Sequence, residues 1–545
     1  MSTKILRIGF AITTAFVLIQ SAAAQTWVGG TADWNTASNW SPANVPDSNT
    51  EVATFVTSGS TVPTLGSGTT TIQLIQFTGN TNFTITGLGS GSSTLRIDPN
   101  TALTANFLRN SAGTSTNQTF SALTFDANDS NTTGQTKFLM SGGKTATFDS
   151  TSVLNIAANN NLLLERSSGS SPAVLTINGA LTSGAGATLN LDGSGAVLNL
   201  NFGAGSSLSN LSFVVGGGGV INLLATGDYG AGVLRGGGDN ATFNVAASGI
   251  TINNRTLNFH SGATGITGVS GTLAATYASG TSTYAGPIIL AGHASLAKTN
   301  VIDVASGASL VLSGALSGGD ATRLTVNKTG AGTLILGNGS GNTFSGTAFN
   351  VTVGTLIVSN TSNSATGSAV PLNISSGATL AGTGRVTGAT TISGILAPGN
   401  SIGILTVDNL VTWNGGASAT PATDWKFELG ASNTADLLNI TNAGTGQFLK
   451  GTGSVFRFDF QGSTALGTFK VVDWANTSNI GGGALGTSFA ISDFSFTNLG
   501  NSNTGTFQFN GSQLEFIAVV PEPTTWALCA GSLAVIMLFR RRSGR

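Results

Sequence analysis

Short apolar runs alternate with clusters of Gly, Ser, Asn and Thr along most of this chain. Runs such as Thr71-Ile72-Gln73-Leu74-Ile75, Val153-Leu154-Asn155-Ile156, Leu189-Asn190-Leu191 and Val220-Ile221-Asn222-Leu223 put apolar side chains at every second position. That period marks a half-buried strand, whereas a helix face needs apolar residues three and four apart. Between Gly307 and Leu405 the pattern becomes a phrase: Gly307-Ala308-Ser309-Leu310, Gly332-Thr333-Leu334, Gly354-Thr355-Leu356, Gly377-Ala378-Thr379-Leu380 and Gly403-Ile404-Leu405. Leu310, Leu334, Leu356, Leu380 and Leu405 are thus almost evenly spaced. A nearly even period of this size points to stacked structural repeats. The residues just after the leucines (Val311, Ile335, Ile357, Thr406) are β-branched and favour strands. The expected fold is therefore all-β: an elongated parallel β-helix, or β-solenoid, with one coil per repeat and the leucines in one interior row. Asparagines beside the leucines then face outward or sit in turns, where stacked amides bond along the ladder. At about 23 residues per coil the repeats make on the order of 15 coils, a rod roughly 70 Å long at about 4.8 Å per strand.

Composition agrees with many short strands and tight turns. The 545 residues include 77 Gly but 11 Pro, with 40% hydrophobic and only 8% charged residues. Disordered chains combine low hydrophobicity with high charge, the opposite of this balance. The net charge of −1 hides an acidic middle. Setting aside residues 1–24 and 521–545 removes six basic residues and one acid, leaving 15 basic against 21 acidic, a net of −6. No basic patch remains, so nucleic acid is not an expected partner. Cys529 is the only cysteine, and the body is left to packing and backbone ladders for its stability.

The middle offers little chemistry. His260 and His293 stand in no ligand or triad pattern and read as surface turns, and metalloprotease, nucleophile-elbow and phosphate-loop motifs do not occur. A glycosidase needs two carboxyls roughly 5–10 Å apart, but Asp192, Asp228, Asp239, Asp303 and Asp320 are isolated in sequence, and Asp126 with Asp129 reads as a solvated turn. Neighbouring coils can still bring distant acids together. Gly236-Gly237-Gly238-Asp239 occurs once, without the nonapeptide period of calcium-binding repeats. No catalytic residue, cofactor or metal is assigned.

The two ends carry the clearer signals. Lys4 and Arg7, an apolar run to Ile19 and the small residues Ala22-Ala23-Ala24 form a secretory signal peptide cut after Ala24, which calls on a secretion translocon. Trp27, Trp34 and Trp40 come close together just after it; they are expected to cover the open first coil, the alternative being a platform for stacking sugars. After Asp408 the composition shifts. Residues 413–520 hold 12 of the 29 Phe together with Trp413, Trp425 and Trp474, which predicts a compact β cap, the alternative being an aromatic face that binds glycan. These pieces are shorter than the strands of an outer-membrane barrel, so the chain is not expected to export itself. Last come Pro521-Glu522-Pro523, an apolar run from Thr524 to Phe539, and Arg540-Arg541-Arg542. Sixteen helical residues span roughly 24 Å, a marginal crossing of a hydrocarbon core about 30 Å thick. The arginines would hold the far end in the cytoplasm.

These residues carry two resemblances. The run Lys328-Thr329-Gly330-Ala331-Gly332-Thr333-Leu334, then Asn342-Thr343-Phe344-Ser345-Gly346, Val353-Gly354-Thr355-Leu356 and Leu396-Ala397-Pro398-Gly399-Asn400-Ser401-Ile402-Gly403 resembles autotransporter-associated β-strand repeats. The resemblance covers about 80 residues; upstream of about residue 300 only the composition matches. The segment Asp436-Leu437-Leu438-Asn439-Ile440 is similar to the one that comes after such repeats. The tail resembles the PEP-CTERM sorting signal of Gram-negative bacteria in all three parts, with Pro521, Glu522, Pro523, Arg540, Arg541 and Arg542 as its motif. The resemblances imply an adhesin-like or structural surface protein. An exosortase-type processing enzyme would cut its tail at the inner membrane, and extracellular polysaccharide is a candidate partner. The expected organisation is a signal peptide at 1–24, an N-terminal cap at 25–55, solenoid repeats at 56–411, a C-terminal β cap at 412–520 and a sorting signal at 521–545 with one transmembrane helix at 524–539. The expected function is non-enzymatic. The alternatives are a polysaccharide-active lyase or hydrolase of β-helix shape and a membrane-anchored glycan-binding module.

Overall fold

A computed structural model describes residues 23–56, 60–99, 105–110, 116–129, 135–259, 268–399, 401–418, 423–479 and 484–521. These residues form fifty strands and four single-turn 3-10 helices, and no α-helix. The period-two runs are read out as strand, except that the run at 71–75 breaks at Gln73 into two strands of different sheets, and the chain is all-β. The strands make sheets of thirteen, five, fifteen, eight, six and three strands. Among the described residues, all pairings between strands are parallel except at the two ends of the chain.

Consecutive strands rotate among the sheets. Gly68–Ile72 lies in the five-stranded sheet, Leu74–Phe77 in the thirteen-stranded one and Phe83–Thr86 in the fifteen-stranded one; Ser93–Ile97, Ala105–Asn110 and Asn117–Ser121 then repeat the cycle. Parallel neighbours need a long connection, and here the connection is the next two strands. One-to-one register carries side chains of like character into columns. Leu175, Leu198, Ile221, Phe243, Leu273 and Ile302 lie one after another on adjacent strands, all buried.

The asparagines form the predicted outward ladder. Asn199 Nδ2 donates to Thr176 (3.1 Å), Asn222 to Asn199 (2.8 Å) and Asn244 to Asn222 (2.9 Å). A second run on the same sheet joins Asn350 to Asn327 and Asn373 to Asn350, each at 2.9 Å. Each amide both donates and accepts, so the columns lock register as well as adding bonds.

The leucine row departs from expectation at its end. Leu310, Leu334, Leu356 and Leu380 are in register, but the next in line is Leu396, not Leu405. Leu405 pairs with Leu438 in the six-stranded sheet. The sequence holds two Gly-Ile-Leu tripeptides, at 394–396 and 403–405, and even spacing selects the wrong one. The last step of the row is short, and Gly394 permits it. A Cβ there would strike the carbonyls of Ser375 and Ala378 in the turn before Thr379–Gly382.

Parallel pairing also runs past the shift in composition. Val411–Trp413 pairs with Phe448–Lys450, and Trp425–Lys426 with Phe456–Asp459 and then Phe494–Thr497, all parallel. Only Gly467–Trp474, Gln513–Val519 and Thr504–Phe509 turn antiparallel. Among the described residues no helix is long and apolar enough to cross a membrane; the predicted helix at 524–539 lies outside them.

Candidate functional site

Most of the acids singled out in the middle are tied into the framework, whereas Asp192, at the end of the strand Thr188–Asp192, is exposed. Asp126 accepts from Arg96 Nε and from Asn155 Nδ2, both at 2.8 Å, and is largely buried rather than a solvated turn. Asp303 accepts from Thr329, Asp320 from Thr322 in its own turn, and Asp228 from Gly230 and Asn254. The turn hydrogen bonds from Thr322 hold the Asp320 carboxyl below its usual range. Asp239, read as part of a glycine turn, accepts a bidentate bond from buried Lys298 at 2.9 and 3.0 Å. Among the described residues no three His, Cys, Asp or Glu cluster as metal ligands would. His293 does sit in a turn, its Nδ1 accepting from Ser295 and Leu296, but it is buried instead of lying at the surface. His260 is outside the described residues.

Two buried cations had no signal in the alternating pattern. Lys328 occupies an inward position between Ile302 and Val351. Its ammonium donates to the carbonyls of Thr329 (3.1 Å), Gly330 (2.5 Å) and Val353 (2.9 Å). Burial lowers its pKa to about 8, against the attraction of Asp303. Arg255 donates to the carbonyls of Leu211 (2.6 Å), Leu208 (3.2 Å) and Tyr229. Its pKa falls to about 10 for the same reason, and burial pushes the neighbouring Tyr229 and Tyr284 hydroxyls upward. Both cations donate to backbone carbonyls at strand ends and turns. They act as staples rather than as reactive groups.

The aromatic residues are interior at both ends. Trp27, Trp34 and Trp40 are buried and pack against each other and Phe55 with ring centroids 4.8–6.0 Å apart. Their indole N–H groups donate to the carbonyls of Ser60, Pro46 and Trp34. These rings therefore offer no platform for sugars. Trp413 stacks on Trp425 at 3.8 Å, and Trp474 is buried near Phe448. Partly open rings occur in a groove of about 420 Å³ lined by Ile491, Phe494, Phe496, Gly505, Thr506 and Phe507, where Phe494–Thr497 and Thr504–Phe509 each end a sheet.

The segments expected to be processed adjoin the body at exposed positions. Ala23 and Ala24 begin the strand Ala23–Trp27 and are exposed, whereas Gln25 just beyond is buried and bonded to Glu51. Ala22 lies outside the described residues. At the other end Gln513–Val519 is the last strand, and Pro521 is exposed two residues after it. Glu522, Pro523, Arg540, Arg541 and Arg542 are not among the described residues.

The phrase that closes the repeats is held from outside. Asp436 is buried, and its carboxylate accepts from the N–H of Gly403 and of Glu428, each at 2.8 Å. Burial raises its pKa to about 6, while those N–H groups pull it down. One side chain thus ties the turn ending at Gly403 to the segment beyond it. Compared with known proteins, the chain matches no family model, no curated protein and no solved structure.

Proposed function

We propose that this protein is an exported structural or adhesin-like element of the cell surface or extracellular matrix, built as a β-solenoid and sorted through its C-terminal tail. The rotation of strands among parallel sheets, with like residues in register, supports reading those sheets as faces of one solenoid. The fifteen-stranded sheet alone then runs roughly 65–70 Å at about 4.8 Å per strand. The aromatic clusters serve as its caps, since open ends of a stack need covering.

The observation that carries the sorting reading is the spacing at the C-terminus. The last strand ends at Val519, and Pro521-Glu522-Pro523, the apolar run 524–539 and the arginine triplet come directly after it. A body that folds up to the edge of the motif leaves the motif as the accessible link between body and membrane, where an exosortase-type enzyme would cut. C-terminal peptide mass spectrometry on membrane and released fractions from the native host tests this. Released protein ending near Pro521, without Thr524 to Arg545, is the expected result. Mature protein that retains Arg540-Arg541-Arg542 would make the chain a single-pass membrane protein instead.

The Phe-lined groove favours a second reading, a glycan-binding module, because aromatic faces pack on sugar rings. Co-sedimentation of the body with extracellular polysaccharide, lost on Phe507→Ala, is its test.

A further inference from the structure

Five of the twelve large aliphatic residues that the described body exposes lie on one corner of its C-terminal end: Ile402, Ile404, Leu466, Val519 and Val520, 39–60% exposed. They are far apart in sequence, and a chain of contacts joins them. A Cβ on Gly430 would strike Ile402, and one on Gly467 would strike Asn433, so the turns at 401–404, 430–434 and 461–467 touch in order. Gly462 N donates to Asn498 O (2.6 Å) and Gly500 N to Ser463 O (2.8 Å), which adds the turn at 498–503. Gly467 then faces Ala518, and Thr504 faces Val519, at the end of the last strand.

This corner is uncharged as well as apolar. Residues 401–404, 430–435, 461–468, 498–506 and 516–521 contain no Asp, Glu, Lys or Arg. Asp436, beside the first of these turns, is buried. Charge borders it at half-buried Asp459, which accepts from Gln461 N and Asn498 Nδ2, at half-buried Glu428, at Glu522 in the chain beyond, and at Lys470 and Glu515, which face each other across the antiparallel pair. Four residues of strand separate Glu515 from Val519, about 14 Å. The body as a whole carries a net of −6, so an uncharged corner is the side it can bring to an anionic surface at least cost.

We infer that this corner lies against the lipid bilayer, with Ile402, Ile404, Leu466, Val519 and Val520 in the interfacial layer and Lys470 and Glu515 outside it. The inference rests on the proposal that the apolar run from Thr524 enters the membrane. Only residues 520–523 separate that run from the last strand, and fully extended they reach at most about 14 Å. A body so tethered must meet the membrane surface with the face around its exit point, and that is where the exposed aliphatic residues are gathered. Amphipathic surfaces of this kind dip about 5–10 Å into the headgroup boundary. The contact would hold the Pro-Glu-Pro link at a fixed depth for a membrane-embedded processing enzyme.

The test uses the full chain with Cys529→Ser and one introduced cysteine: Leu466→Cys or Ile404→Cys on the corner, or Val353→Cys, an exposed position on the repeat body. Each carries an environment-sensitive fluorophore, and circular dichroism checks that each folds. The protein is reconstituted into vesicles of phosphatidylethanolamine and phosphatidylglycerol containing lipids with a quencher at headgroup depth. Flotation reports whether the tail inserts, and quenching reports the corner. Flotation with quenching several-fold stronger at both corner sites than at Val353→Cys is expected. Flotation with equal quenching at all three sites overturns the inference and leaves the tail reading intact. Failure to float overturns both. Corner emission that shifts with protein concentration in detergent, without lipid, assigns the corner to a second copy of the chain and also overturns it.

Discussion

The stretch from Leu208 to Lys298 and the stretch from Ala308 to Pro398 stack in the same parallel way, yet they are held together differently. In the second, leucine stacks on leucine from Leu310 through Leu334, Leu356 and Leu380 to Leu396, with nearly even steps between the first four. In the first, the step lengthens: Phe243 lies farther along the chain from its neighbour Leu273, and Leu273 from Ile302, than Ile221 does from Phe243. The register also shifts there, between Val269 and Gly271. Polar anchors mark this stretch: Arg255 on three carbonyls, Tyr284 Oη donating to Arg255 O at 2.8 Å, and Lys298 reaching back along the chain to the Asp239 carboxylate. Each stretch holds one buried cation on three carbonyls, Arg255 in the first and Lys328 in the second; the second adds a repeated leucine, and the first adds further polar anchors.

The largest expected effect comes from removing such an anchor. Arg255→Met keeps most of the volume and deletes the donors to Leu208, Leu211 and Tyr229. Leu208 O keeps the N–H of Leu211 (3.1 Å), so the carbonyls of Leu211 and Tyr229 are the ones orphaned; at about 1–3 kcal/mol each, a loss of about 4 kcal/mol is expected. Stacked repeats open locally, so hydrogen exchange is the suitable measurement. Protection should fall in Ser212–Val215, Val233–Gly236 and Thr256–Asn258 while Thr333–Leu336 and Thr355–Val358 keep theirs. An even loss along the chain would mean that the two stretches are one cooperative unit and the contrast is empty.

Next in size is a paired test of the leucine row. Leu396→Ala and Leu405→Ala each leave a cavity costing about 2–5 kcal/mol. Leu396→Ala should deprotect Thr379–Gly382, the strand it stacks on, and Leu405→Ala should deprotect Leu437–Ile440 instead. Reversed footprints would restore the row that even spacing suggests.

That pair also shows what could be read in the sequence. Strand, parallel stacking, asparagine columns and aromatic ends were legible, because each repeats a residue type at a fixed step. The branch at Leu396 was not, because two identical tripeptides compete and both of their glycines lie close against backbone. Arg255 and Lys328 were illegible for a related reason. A single cation facing inward breaks the alternation once, and its partners are carbonyls, which carry no sequence signature. The exposed corner near Val519 escaped because its five aliphatic residues come from three separate segments, and only the fold assembles them.

A smaller effect is expected in the asparagine columns. Asn222→Ala removes a link between Asn199 and Asn244. The column is partly solvated, so water replaces some of the loss, and about 1 kcal/mol is expected. Asn350→Ala, in the even stretch, should cost about the same. Urea midpoints of the two variants make the comparison. A much larger loss for Asn222→Ala would show that the uneven stretch also leans on its outer ladder.

The finest test uses pH, because the even stretch has a buried ionisable group near each end, with pKa values displaced in opposite directions. Lys328, near the start, has its pKa lowered from 10.5 to about 8 by burial. Between those values the unfolded chain holds a proton that the folded chain has released, so stability rises with pH across that window and levels off above it. Asp436, just past the end, has its pKa raised from 3.8 to about 6 by burial. Here the folded chain holds the extra proton, so its contribution is full below 3.8 and lost as pH rises through about 6. Urea midpoints followed by circular dichroism should therefore fall from pH about 4 to 6 and climb from pH about 8 to 10. Lys328→Met should flatten the upper limb alone, and Asp436→Asn the lower limb alone. If either variant flattened both limbs, the two ends of the even stretch would be coupled through all the strands between them, and the nearest-neighbour account of the stack would have to be given up.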